Sequence, residues 1–97
     1  MDRQGRLVGE GDLGAQTEQV MQNIEAGLKE AGASFDDVVR MTIYVVDYDP
    51  SKREIMQAVR DRYIPAEGGP ASTLIGVSGL VHDAFLVEIE VQAIVRD

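Results

Sequence analysis

From Leu13 onward the apolar positions recur at steps of three and four. Leu13, Thr17, Val20, Met21, Ile24, Leu28 and Ala31 line up as one stripe of an amphipathic helix. Asp12, which follows Gly9-Glu10-Gly11, has the short acceptor side chain of an N-cap, and Gly32 stands where a C′ glycine ends such a helix. Ahead of it, Asp2-Arg3-Gln4-Gly5 reads as a turn. After a turn over residues 33–37 the period drops to two. Val39, Met41, Ile43 and Val45 point one way and Arg40, Thr42 and Tyr44 the other, which predicts a half-buried strand. Asp49-Pro50 couples a cap to a proline at the first helical position, and Ile55, Met56, Val59 and Tyr63 supply the stripe of a second helix closed by Pro65. The glycine and proline loop over residues 66–70 feeds a strand predicted over 71–80. Val81-His82-Asp83-Ala84 turns the chain, and residues 85–95 return as the last strand, with Val87, Ile89, Val91 and Ala93 against Glu88, Glu90 and Gln92.

The order helix, strand, helix, strand, strand fits an α+β fold with both helices on one face of a single sheet. The other face is then expected to carry Arg40, Thr42, Tyr44, Ser72, Leu74, Gly76, Leu86, Glu88, Glu90, Gln92 and Ile94. That set is too mixed for a core and too apolar to leave wholly in water. Cover by a second copy of the chain resolves the conflict and predicts an oligomer. Gly76 and Gly79 suggest close backbone approach or a bulge, and no helix follows them as a phosphate loop requires.

Composition narrows the partners. The 97 residues make one domain, residues 1–97, with a single core and little to spare. No apolar run approaches the length of a membrane span, and the first residues lack the apolar centre of a signal peptide. The absence of cysteine excludes disulfides, a thiolate nucleophile and cysteine-zinc sites, and fits a cytoplasmic protein. A net charge of −8, with nine Lys and Arg scattered among seventeen acids, argues against nucleic acid, which needs clustered cations.

Three stretches carry a family resemblance. Ala31-Gly32-Ala33-Ser34-Phe35-Asp36-Asp37-Val38-Val39-Arg40-Met41-Thr42-Ile43-Tyr44-Val45, then Pro70-Ala71-Ser72, then Val87-Glu88-Ile89-Glu90 resemble the RidA/YjgF/UK114 family in residues, order and spacing. The resemblance implies a chorismate-mutase-like fold, with two helices packed on one face of a mixed sheet, and a homotrimer whose sheets form a central barrel. It places ligand clefts between subunits. It also implies hydrolysis of small enamine or imine intermediates to keto acids and ammonia, with no metal or cofactor. Two departures stand out. The RidA branch has Pro-Ala-Arg-Ser where this chain has Pro70-Ala71-Ser72-Thr73, so the substrate-clamping arginine falls on Ser72, as in a branch outside RidA itself. Met1 also falls where the family's N-terminal strands should already have ended, so a shortened form without those strands, and with an exposed sheet edge, is expected.

The candidate ligand-binding residues are Ser72, Thr73 and Gln57, and the candidate catalytic residue is Glu88. Ser72 and Thr73 offer hydroxyls where a planar bidentate cation would suit a carboxylate, or are ordinary strand residues. Glu88 matches the family's acid that handles water in the site, although alternation of Glu88, Glu90 and Gln92 is also the pattern of a solvated sheet face. Gln57 matches a pocket amide or sits on a plain helix surface. Arg40 is read as an ion-pair or exposed charge, Tyr44 as interface packing, and His82 as a turn residue without metal or triad partners.

Two readings follow. One is a Rid-type hydrolase, a deaminase of small imines, weak or altered because of Ser72. The other is a non-catalytic trimer that binds a small keto-acid-like metabolite in the same cleft. A nuclease activity, attached to some relatives, is disfavoured by the acidic charge.

Overall fold

The computed structural model describes residues 2, 5–64 and 69–95. Helix α1 spans Leu13–Glu30, strand β1 Val38–Val46, helix α2 Pro50–Arg60, strand β2 Ala71–Val77 and strand β3 Val87–Ala93. The expected element order holds, and both predicted helix starts are capped. The Asp12 carboxylate accepts from the Ala15 amide at 3.0 Å, and the Asp49 carboxylate accepts from the Ser51 amide at 2.9 Å. The Ser51 hydroxyl donates to the same Asp49 oxygen and is the main cause that holds this carboxyl below its ordinary pKa. Gly32, with φ of +79°, ends α1 in the left-handed region as expected.

Between α1 and β1 a single 3₁₀ turn, Phe35–Asp37, is held by Ser34 and Asp37. The Ser34 hydroxyl accepts from the Asp36 amide and the Asp37 carboxylate accepts from the Ser34 amide. Beyond it β1 departs from strict alternation. Its register shifts between Val38 and Arg40, so Val38 is buried while Val39, expected inside, is 47% exposed. One irregular step moves the inward position back by one residue.

The sheet order is β2-β1-β3, with β1 parallel to β2 and antiparallel to β3. The parallel pair requires a crossover, and α2 supplies it. Strands β2 and β3 are shorter than predicted. Residues 78–80 and 85–86 lie outside the ladder, and α2 stops at Arg60, while its predicted terminator Pro65 and most of the following loop lie outside the described residues.

Burial concentrates on one face of β1 and the stripes facing it. Met21, Met41 and Val45 are fully enclosed, with Met56, Val59 and Val87 around them. Ile64, not assigned to the core from sequence, is also buried, whereas Ile55 is 44% exposed. Gln16, a polar residue only 4% exposed, is buried to make a tie. Its amide donates to the Gly9 and Ala84 carbonyls at 3.2 and 3.0 Å and accepts from the Leu86 amide at 2.8 Å. This joins the approach to α1 to the approach to β3. Among the described residues no helix is long and apolar enough to cross a membrane.

Candidate functional site

The pairing of β1 with β2 decides which way the candidate residues face. Met41 stands opposite Ser72, Ile43 opposite Leu74 and Val45 opposite Gly76. Residues paired across a ladder share a face, so Ser72, Leu74 and Gly76 look toward the helices. This corrects their expected place on the open face. Leu86 is corrected in the same way, because it packs against the core beside the helices. The open face instead carries Thr42, Tyr44, Thr73 and Ile75, continued on β3 by Glu88, Glu90 and Gln92.

Ser72 borders a crevice of about 190 Å³ between α2 and the sheet. Met41, Ile43, Leu74 and Ile89 line it from the sheet, and Thr17 and Met21 from α1. The α2 side is polar, with Arg53, Gln57 and Arg60 around Met56. Spacings of four and three residues stack these three side chains along one helix face. The crevice therefore brings Ser72 and Gln57 to one space. The Gln57 amide nitrogen already donates to Asp61 at 2.8 Å, and the Thr17 hydroxyl donates to the Leu13 carbonyl at 2.7 Å. No Asp, Glu or His lines the crevice among the described residues.

Thr73 and Glu88 are not part of it. Thr73 is on the open face, across from Thr42. Glu88 pairs with Tyr44 on the far edge strand and borders a separate recess of about 140 Å³ next to Gln16, Val20 and Phe85. Within one chain the candidate acid and the candidate hydroxyl thus lie on opposite faces and opposite edges of the sheet. Arg40, level with Ala71 and Gln92, shares the face of Glu88 and Glu90 rather than that of Ser72. Tyr44 donates from its hydroxyl to Glu90 at 2.9 Å, and this bond is the main cause that raises the phenol above its ordinary pKa.

His82 serves the turn before β3. Its Nδ1 accepts from the Ala84 amide at 3.1 Å and its ring stacks on Phe85 with centroids 4.9 Å apart. Among the described residues no three His, Cys, Asp or Glu side chains are grouped to hold a metal. Gly76 does mark a close approach, since a Cβ there would come within 3.1 Å of the Tyr48 Cβ, while nothing lies within 4 Å of the same position on Gly79.

The sequence reading missed Arg53 and Arg60. Their common spacing with Gln57 on α2 was visible, but only the tertiary placement of that face across from Ser72 and Leu74 turns it toward the crevice.

Comparison with known proteins sets this geometry in context. The family model for Endoribonuclease L-PSP matches residues 1–95. A RutC family protein of Pyrococcus abyssi is 41% identical over 86 residues, which cover 89% of this chain and 64% of that protein. The chain thus spans just under two thirds of that relative's length. Among solved structures, the Rid-family protein YyfB from Yersinia pestis superposes with a TM-score of 0.87 at 38% identity, covering 97% of this chain and 71% of that one. A YjgF/YER057c/UK114-family member from Mycobacterium tuberculosis gives a TM-score of 0.78 at 36% identity, covering 91% and 73%.

Proposed function

Because the chain belongs to the RidA/YjgF/UK114 family, with its model matched over residues 1–95, we propose that it is a Rid-type hydrolase of small enamine or imine intermediates. Its activity is weak or altered because Ser72 stands where the RidA branch has the clamping arginine. The carrying observation is that Ser72 and Gln57 border one crevice with an apolar sheet floor. A small organic substrate fits such a space: an apolar cavity of about 150 Å³ already admits benzene.

The chemistry requires water to add to the C=N carbon and ammonia to leave, so a group must accept and return protons. Among the described residues of one chain the crevice holds no such group. In this reading Glu88 reaches the site from a neighbouring subunit of a homotrimer, whose clefts lie between subunits, and it orients the attacking water. The open face leaves Ile75 39% exposed beside a half-buried Tyr44, and the need to cover it supports that assembly.

The separation of Ser72 from Glu88 also supports a second reading, a non-catalytic trimer that binds a small metabolite. Keto-acid formation from imine generated in situ by an amino-acid oxidase, with semicarbazide competing for the imine, tests between them. A rate above the uncatalysed one that disappears in Glu88→Gln supports the hydrolase, and its absence leaves the binding protein.

A further inference from the structure

The α2 wall of the crevice carries two cations. Arg53, Gln57 and Arg60 occupy one stripe of the helix and all three border the cavity. Among the described residues neither arginine forms an ion pair. The Nε of Arg60 is enclosed and has no hydrogen-bond acceptor. Guanidinium stays charged in any protein environment, and a cation whose Nε is enclosed without an acceptor gains from an anion held at its accessible nitrogens. Among the described residues the crevice is lined by two cations and no acid, a local positive site in a chain of net charge −8.

The remaining lining defines the rest of the ligand. Met21, Met41, Ile43, Met56, Leu74 and Ile89 offer thioether and aliphatic surface. A polyanion does not suit that floor, and a bare inorganic anion leaves it unfilled. We infer that Arg53 and Arg60 form an anion clamp on α2, and that the crevice takes a small monocarboxylate with an aliphatic tail. The carboxylate accepts from the guanidinium groups in the planar geometry that suits both partners. The tail lies over the methionines, whose flexible side chains adapt to branched shapes. Gln57, held by Asp61, frames the clamp between the two arginines.

This inference rests on the crevice being the ligand site, and does not require turnover. The probe is therefore an unreactive acid, 4-methylpentanoate, titrated into the full-length protein and followed by amide NMR shifts and by calorimetry. Binding is expected, with shifts centred on α2 and on Ser72 to Leu74. The neutral 4-methylpentanamide should bind at least about 10-fold more weakly, because it lacks the charge-assisted bonds. Arg60→Gln should weaken the acid about 10-fold or more while leaving the amide's affinity nearly unchanged, and Arg53→Gln, at an exposed position, should act in the same direction. If Arg60→Gln fails to fold by circular dichroism, the acid-to-amide ratio and Arg53→Gln still decide. Equal binding of acid and amide overturns the clamp. So does the absence of acid binding at millimolar concentration, a pair of variants that bind like the parent, or shifts centred elsewhere. Imine hydrolysis is measured separately: retained binding without hydrolysis removes the hydrolase reading alone, and hydrolysis without the charge-selective binding removes this inference alone.

Discussion

Ser72 stands directly across the parallel ladder from Met41, and this pairing turns its hydroxyl toward the helices. Glu88, paired with Tyr44 on the other edge strand, faces the opposite way. No side-chain rotation brings two residues together through a sheet, so any chemistry that uses both needs a second chain.

Activity should therefore track assembly. Sedimentation equilibrium is expected to show a trimer at micromolar concentration, and keto-acid formation per subunit should fall on dilution below its dissociation range. A stable monomer that keeps its full specific activity contradicts the shared site.

Ser72→Arg should raise imine hydrolysis. The new guanidinium projects from the crevice-facing side of β2, and a pre-positioned transition-state donor is worth roughly 10²–10³ in rate. Adding Glu88→Gln should cancel the gain. An unchanged rate in the single variant means that Ser72 does not limit the reaction.

Gln16→Leu should lower stability by about 2–4 kcal/mol. The change strips the partner from the Leu86 amide and the Ala84 carbonyl, while the Gly9 carbonyl keeps the Asp12 amide at 2.8 Å, and part-buried backbone groups left unpaired cost about 1–3 kcal/mol each. Urea unfolding should show a lower midpoint at an unchanged slope. A loss under 1 kcal/mol would mean that water replaces all three bonds.

The Tyr63 hydroxyl donates to Glu18 at 2.6 Å, with Arg62 also on Glu18 at 2.8 Å. Burial, followed by this hydrogen bond, pushes Tyr63 up to about 12, while the same bond is the main cause that lowers Glu18. The raised phenol contributes stability in full below about pH 10, its unfolded value, and loses it as pH climbs through about 12. The depressed carboxyl contributes above its unfolded pKa of about 4.3 and loses that as pH falls through its lower folded value. Tyr63→Phe should cost about 1 kcal/mol at neutral pH. That difference should shrink below pH 4 and above pH 10 in denaturant titrations, and a pH-independent difference would mean that the hydrogen bond to Glu18 does not carry the loss.

RNA should bind weakly or not at all, despite the endoribonuclease name of the matching family model. The −8 charge repels a polyanion, and the two crevice arginines form no stripe along which a strand could run. Fluorescence anisotropy with a labelled oligonucleotide at low salt checks this. Tight binding that weakens steeply with added salt would reverse the conclusion.

The parts of the fold legible in the sequence are those set by neighbours in the chain. Asp12 and Asp49 cap helices through amides two or three residues away, and Gly32 stops α1 with its own backbone, so local chemistry was enough to find them. Strand β3 was legible because its alternation is sharp: Val87, Ile89 and Val91 on one face, Glu88, Glu90 and Gln92 on the other.

Strand β2 has no such contrast. Ser72, Leu74 and Gly76 are, if anything, less apolar than Thr73, Ile75 and Val77, so its composition does not mark them as the inward set. A one-residue change of register exchanges the two sets, and pairing with β1 alone chose between them. The sequence by itself determined the elements, their caps and the family. Tertiary structure decided that Ser72 meets Arg53 and Arg60 over an apolar floor, and that Glu88 does not, because pairing and packing join residues far apart in the chain.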